Sequence, residues 1–370
     1  MRKAMADRTR SRRLPSAHTG RSLPAAEPTQ ARTARAQARP VNMADVARLA
    51  GVSHMTVSRV LNNHTAVREE TRRRVLAAIK ELGYQPNTAA RALATRRSGV
   101  IGVLTIDTTL YGPAGTLYAV ENAARRAGFS LTITSIKTVD PRSAAEGLDR
   151  LTSQAVEGIV VIAPSSQIGQ ALSPLHHRVP MVTAGDALAG DVPAVYVDQA
   201  GGARLATNHL LEHGAERIWH IAGPRSWLHA QARARGWRSA LKAAGLQSPG
   251  VLYGDWTPAS GYRAGLLLVE KIQEVDAVFV ANDQMALGVL RAFHEHGIRV
   301  PRDVLLVGFD DIPEAAYFAP PLTTIRQDFA AVGEHAIRLL ISEISGEAAQ
   351  NSYVVPAQLI VRQSSIRRSH

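Results

Sequence analysis

His54, Met55, Thr56, Ser58, Arg59 and Asn62 fall on the exposed face of any helix that buries Val57, Val60 and Leu61. These are side chains that reach phosphates and base edges. Arginine forks onto guanine or phosphate, asparagine pairs with adenine, and hydroxyls bond to either. Ser53, just ahead of them, suits a helix N-cap. A second set lies far downstream: Asp198, Arg233, Trp256, Asn282 and Asp310. Carboxylates, an amide and a guanidinium make paired hydrogen bonds to vicinal hydroxyls, and a tryptophan face covers the C–H side of a sugar ring. Asp and Asn also serve as caps and turn residues, so the coincidence of several carries the reading rather than any one. Asp283 and Asp311 are expected to cap or turn.

The first set needs a two-helix hairpin to hold it. Val46, Ala47 and Ala50 give a first helix one apolar side, and Gly51 supplies the φ > 0 turn before Ser53. Such a helix-turn-helix lays its second helix in a DNA major groove. Residues 68–82 predict a third helix, with Val75, Leu76, Ile79 and Leu82 at helical spacing and Gly83 ending it. This bounds an all-α head at 41–85. Pro86 opens the stretch NTAARALAT, with Asn87 as N-cap. At about two turns it is helical only when something holds it. Residues 86–98 are therefore expected to be a hinge, with Asn87, Ala90 and Leu93 as further DNA contacts.

Charge follows the same division. Residues 1–40 carry +8 and residues 41–98 carry +6 of the formal +12, which leaves −2 for everything after. A basic head on a near-neutral core fits a DNA-binding sensor better than a general polyanion binder. Residues 1–40, rich in Arg, Ala, Ser and Pro, are expected to be disordered. They are either a basic arm that adds non-specific affinity or an upstream segment of a chain whose translation starts at Met43 or Met5.

From Val100 onward the pattern alternates strand and helix. VIGVLTI, LTIT, GIVVI, PMVTA, AVYV, RIWHIAG, AVFVA and VLLVGF are apolar runs typical of parallel strands covered on both faces. Helices are expected over 114–127, 201–213, 229–244, 258–273, 284–296 and 329–345. The fold class is thus an α/β doubly wound core of two lobes, 99–198 plus 327–345 and 199–326 plus 346–362. Ligands in such sheets bind beyond the carboxyl ends of strands. Asp198, Asp255-Trp256, Asn282-Asp283 and Asp310-Asp311 follow strands directly, and Arg233 lies in the helix after Gly223. Trp219 and Trp237 are expected in the core, while Trp227 is left open.

Other classes are disfavoured. There is no GxGxxG after the first strand, no GxxxxGK[ST] and no GxSxG at a strand end, so no enzyme is expected. The histidines show no metal spacing, and His176-His177 reads as a loop pair. No metal and no cofactor are expected. The Arg12-Arg13 pair has no apolar stretch after it, which argues against an exported binding protein. The absence of cysteine suits a reducing cytoplasm.

The motif DVARLAGVSHMTVSRVLN, the stretch from Val67 to Val103, HLLEHGAERIWHIAGP, and VANDQMALGVLRAFHEHGIRVPRDVLLVGFDD together carry a resemblance. From about Met43 to Arg362 the chain resembles the lactose/galactose repressor (LacI/GalR) family of bacterial transcription regulators. The resemblance implies a homodimer on near-palindromic operator DNA and a periplasmic-binding-protein-like core holding a small effector between lobes. It implies that His54 and Met55 set base preference, that Arg59 meets a base edge or phosphate, and that Leu93 wedges into the minor groove. On the effector side it reaches Asp198, Arg233, Trp256, Asn282 and Asp310. Only about eight residues follow Arg362, without the leucine heptads of tetrameric members, so a dimer is expected. Ile106 and Asp107 stand where galactoside-binding members have serines. The effector is expected to be a sugar, with a purine or nucleoside as the alternative.

Overall fold

A computed structural model describes residues 41–62, 64–85, 97–106, 109–136, 140–162, 179–185, 192–347 and 352–367. Asn87, Ala90, Leu93, Asp107 and the His176-His177 pair lie outside the described residues. The chain forms two compact units, divided at Pro86.

The head unit contains α1 (Met43–Ala50), α2 (His54–Leu61) and α3 (Glu69–Leu82). Asn42 starts α1 with a reciprocal cap: its Oδ1 accepts from Ala44 and Asp45 N–H at 2.9 and 3.1 Å, and Asp45 accepts from Asn42 N–H. Gly51 ends it at φ 63°, a conformation few residues but glycine adopt cheaply. Val46, Ala47, Ala50, Val57, Val60, Val75, Ala78 and Tyr84 make the core. Leu76, expected on the buried side of α3, is instead half exposed, and Ala78 takes the buried position.

The second unit is built on two parallel sheets. The first has six strands in the order β11-β5-β4-β3-β1-β2: β1 (Val100–Ile106), β2 (Ser130–Ile136), β3 (Gly158–Ile162), β4 (Met181–Ala184), β5 (Ala194–Val197) and β11 (Ser352–Val355). The second has the order β7-β6-β8-β9: β6 (Ile218–Ala222), β7 (Val251–Tyr253), β8 (Ala277–Val280) and β9 (Leu305–Val307). β10 (Thr324–Arg326) and β12 (Gln358–Ile360) form an antiparallel ribbon. Helices α4 (Tyr111–Arg126), α5 (Pro141–Ser153) and α10 (Phe329–Ser345) cover the first sheet. Helices α6 (Gln199–Glu212), α7 (Leu228–Ala243), α8 (Pro258–Val269) and α9 (Asp283–Glu295) belong to the second.

One boundary differs from the sequence reading. Residues 346–362 were expected in the second lobe, but β11 pairs in parallel with β5 and completes the first sheet. The chain therefore passes between lobes three times, at 197–199, 326–329 and 355–358. Helix α5 was not foreseen: its apolar positions Ala144, Leu148 and Leu151 are buried, but Gly147 and many polar residues dilute the pattern. Trp219 and Trp237 are core residues, each donating its indole N–H to a backbone carbonyl, of Glu274 and Ile218.

Candidate nucleic-acid interface and effector cleft

In the head, Ser53 caps α2 by accepting from Thr56 N–H at 3.2 Å. Thr56 Oγ1 lies 2.9 Å from Ser53 Oγ, so this hydroxyl is tied into the cap. Val57 and Val60 are buried, which turns the opposite face outward. His54, Met55, Arg59 and Asn62 are exposed there, and Ser58 lies half-buried 3.5 Å from the Asn62 amide. Met55 is 61% exposed, the largest apolar exposure on the short helix. A protruding apolar side chain between polar ones suits contact with a thymine methyl or a sugar edge.

The cleft of the second unit draws its walls from both lobes. Leu110, Tyr111, Gly185 and Phe329 come from the first, and Arg233, Trp256, Asn282 and Asp310 from the second. The walls bound about 660 Å³, of which about 50 Å³ is clear by a water's width. That is room for a few waters, so a sugar-sized ligand requires the walls to part.

Asp310 sits at φ 114°, buried, directly after β9. Its Oδ1 accepts from Gln327 Nε2 at 2.6 Å and lies 3.5 Å from Arg233 Nη2. Burial raises its pKa, and the Arg233 charge opposes that rise. Arg233 is buried on α7. Its Nε donates to Gln199 Oε1 at 2.8 Å, Nη1 donates to the Ala281 carbonyl, and its plane lies 3.7 Å over the Phe309 ring. Gln199 Nε2 donates in turn to Gln327 Oε1 at 2.8 Å. Arg233, Gln199, Gln327 and Asp310 thus close a polar ring that passes through two of the three inter-lobe crossings.

Trp256 adopts φ 73° and is buried. Asn282 Nδ2 donates to its carbonyl at 3.0 Å, while Asn282 Oδ1 caps α9 by accepting from Met285 N–H. The Trp256 ring meets Trp227 edge-on at 5.5 Å. Its Nε1–H is buried with no hydrogen-bond partner, an unmet donor in a ligand-sized cleft. Trp227 packs against core clusters of both lobes, and His229 Nε2 lies 2.8 Å from the Gly185 carbonyl across the cleft. Tyr111 faces the carboxylates; burial and then Asp310 raise its pKa.

Four of the five expected cleft residues meet here. Asp198 does not. Its Oδ1 accepts from Gly201 N–H at 2.6 Å as the cap of α6 and its Oδ2 lies 3.7 Å from Arg204, while its neighbours Val197 and Gln199 line the cleft. Asp283 and Asp311, expected to cap or turn, act as braces. Buried Asp283 accepts from Thr324 Oγ1 at 2.5 Å and Ile312 N–H at 2.9 Å. Asp311 pairs with Arg326 and Arg362, each at 2.7 Å. Gln199, Gln327, His229 and Tyr111 were missed, and only their positions beside strand ends could have marked them. Among the described residues no group of His, Asp and Glu could hold a metal ion, and no helix is long and apolar enough to cross a membrane.

A three-helix head on a two-lobed parallel α/β core with a closed polar cleft defines a ligand-responsive DNA-binding regulator. Residues 42–87 match the model of bacterial regulatory proteins of the lacI family, and residues 207–365 match a periplasmic binding protein-like domain. The chain is 33% identical to the lactose operon repressor of Escherichia coli (strain K12) over 329 residues, 89% of this chain and 91% of that protein. It is 37% identical to the regulator CelR of Thermobifida fusca over 86% of this chain and 96% of that one, and 34% identical to the repressor PurR of Haemophilus influenzae over 86% and 97%. A structure of the lac repressor dimer bound to operator and the anti-inducer ONPF superposes with a TM-score of 0.82 at 33% identity, covering 89% of this chain and all of that one. A CelR–cellobiose complex gives 0.66 at 34% identity, covering 88% and 99%. The chain belongs to the lacI family of bacterial transcriptional regulators.

Proposed function

We propose that this protein is a homodimeric repressor that releases or grips its operator according to a neutral sugar bound between the core lobes. The observation that carries the sugar reading is the buried Arg233–Asp310 pair set opposite the unpartnered Nε1–H of Trp256. The pair cancels its own charge and leaves hydrogen-bonding edges for hydroxyls, while the indole offers both a face and a donor. A phosphate would have to face Asp310, which disfavours charged ligands. Leu287 and Tyr317, exposed apolar side chains on the second lobe, suit a partner subunit.

On the head, His54, Met55, Ser58, Arg59 and Asn62 read bases and phosphates, with Ser53 and Thr56 supporting through the cap. Asn87, Ala90 and Leu93 contact the centre of the operator. Ligand entry parts walls that are closed, and the Gln199–Gln327 bond passes that motion to the crossings. A ligand that favours one lobe arrangement by a few kcal/mol changes operator occupancy tens- to hundreds-fold. No turnover of the ligand is expected.

A purine is the second reading, favoured by the relation to PurR and by a Trp256 face able to stack on a base. The test is a thermal-shift screen of the full chain against mono- and disaccharides, purines and nucleosides. Stabilisation by one sugar, lost in Asp310→Ala, is expected. Stabilisation by purines alone would replace the sugar reading.

A further inference from the structure

The second lobe carries a groove outside the cleft, between the outer face of α7, the edge strand β7 and the turn after β6, with about 230 Å³ of open room. Three arginines converge on it: Arg225 from the turn, and Arg235 and Arg238, about one helical turn apart on α7. All three are exposed, and the lining contains no carboxylate. Elsewhere on this lobe arginines sit on acids: Arg217 on Asp276, Arg299 on Asp303, Arg263 on Asp255 and Arg326 on Asp311. The groove breaks that habit in a core whose net charge is slightly negative.

Its arginines are also held in place. The Arg225 guanidinium lies 3.9 Å from the centre of the Tyr253 ring, a stack that leaves the in-plane N–H edge free for an oxyanion. Gln231 Nε2 donates to the Arg225 carbonyl at 2.8 Å and pins the turn. Like charges gathered in one concavity repel one another until a counter-charge enters. Guanidinium forks match phosphate oxygens two at a time.

We propose that this groove is a second effector site that binds the phosphate group of a small phosphorylated metabolite. The groove has room for a small molecule rather than for a folded partner. It also shares structure with the cleft. Gly223 lines the groove, and a Cβ there would run into the Trp256 ring. Arg233 projects into the cleft from the same helix, α7, that presents Arg235 and Arg238 to the groove. An anion drawn onto α7 therefore acts on the element that aims the cleft arginine, which couples the two ligands. Anion binding here needs no sugar, so it stands or falls apart from the sugar reading.

The test is isothermal titration of the full chain at constant ionic strength with two probes, pyrophosphate and glucose 6-phosphate. Wild type is compared with the double variant R235A/R238A and with Arg302→Ala, an exposed arginine on the same lobe but outside the groove. One site per chain is expected for both probes. Affinity should fall at least tenfold in the double variant and hold in Arg302→Ala. Equal loss in Arg302→Ala, or none in the double variant, would overturn the site. Binding of pyrophosphate alone would reduce it to an inorganic-anion surface. Non-operator duplex DNA that weakens in the double variant, while both probes bind as before, would assign the arginines to nucleic acid instead.

Discussion

Asp310 carries the most weight of any single residue, because it holds Arg233 and Gln327 together while buried. Replacing it with asparagine keeps the shape and tolerates the φ of 114°, but it leaves the Arg233 charge uncompensated. Breaking one side of a buried pair costs about 3–5 kcal/mol; urea unfolding of Asp310→Asn should show a loss of that order. Asp283 poses a different case. Burial first, and Asp310 next, push its pKa well above the ordinary value of 3.8. The fold keeps a proton that the unfolded chain releases, so this group's contribution to stability falls as pH rises from 3.8 toward the raised value. Asp283→Asn, with the Thr324 hydroxyl reversed to accept, should keep both braces and flatten that decline. Melting curves across pH 4–8 would check it.

At the scale of elements, much was legible and the failures have physical causes. Gly51, the Ser53 cap and the Val57/Val60 stripe made α2 readable, because cap and period agree. Strands such as VIGVLTI read correctly because both their faces are buried. Asp198 misled because a helix cap and a ligand carboxylate leave the same trace after a strand. Gln199 and Gln327 left none, since neither type advertises a role until the crossings bring them within 2.8 Å. β11 could not be assigned to its sheet because pairing with β5 is a long-range choice that local pattern does not encode. Two predictions belong here. Gly288 on α9 lies against the backbone of α8, where a Cβ would meet Pro258 O and Tyr262 N. Gly288→Ala should cost about 1–3 kcal/mol by forcing those helices apart, read from the urea midpoint. His220 in β6 is fully buried between Trp237 and Phe279, and burial lowers its pKa to about 3. Unfolding lets it take a proton below its ordinary pKa of 6.5, so its contribution to stability is lost as pH falls from 6.5 toward 3. His220→Phe should make that acid limb shallower by about one proton's slope; an unchanged slope would place the acid sensitivity elsewhere.

At the scale of the whole molecule, charge and cleft divide the labour. The +8 of residues 1–40 lies outside the head's helices. Removing those residues should lower the salt dependence of DNA binding without changing the preferred sequence. The central claim is that a neutral ligand in the Arg233–Asp310 cleft sets operator affinity. The measurement that tests it most directly is fluorescence anisotropy of the full chain on an operator selected from random duplexes, titrated with and without the sugar identified by thermal shift. At least a tenfold change in operator affinity is expected in wild type and none in Asp310→Ala. An operator affinity indifferent to every bound ligand, or a response that survives intact in Asp310→Ala, would contradict it.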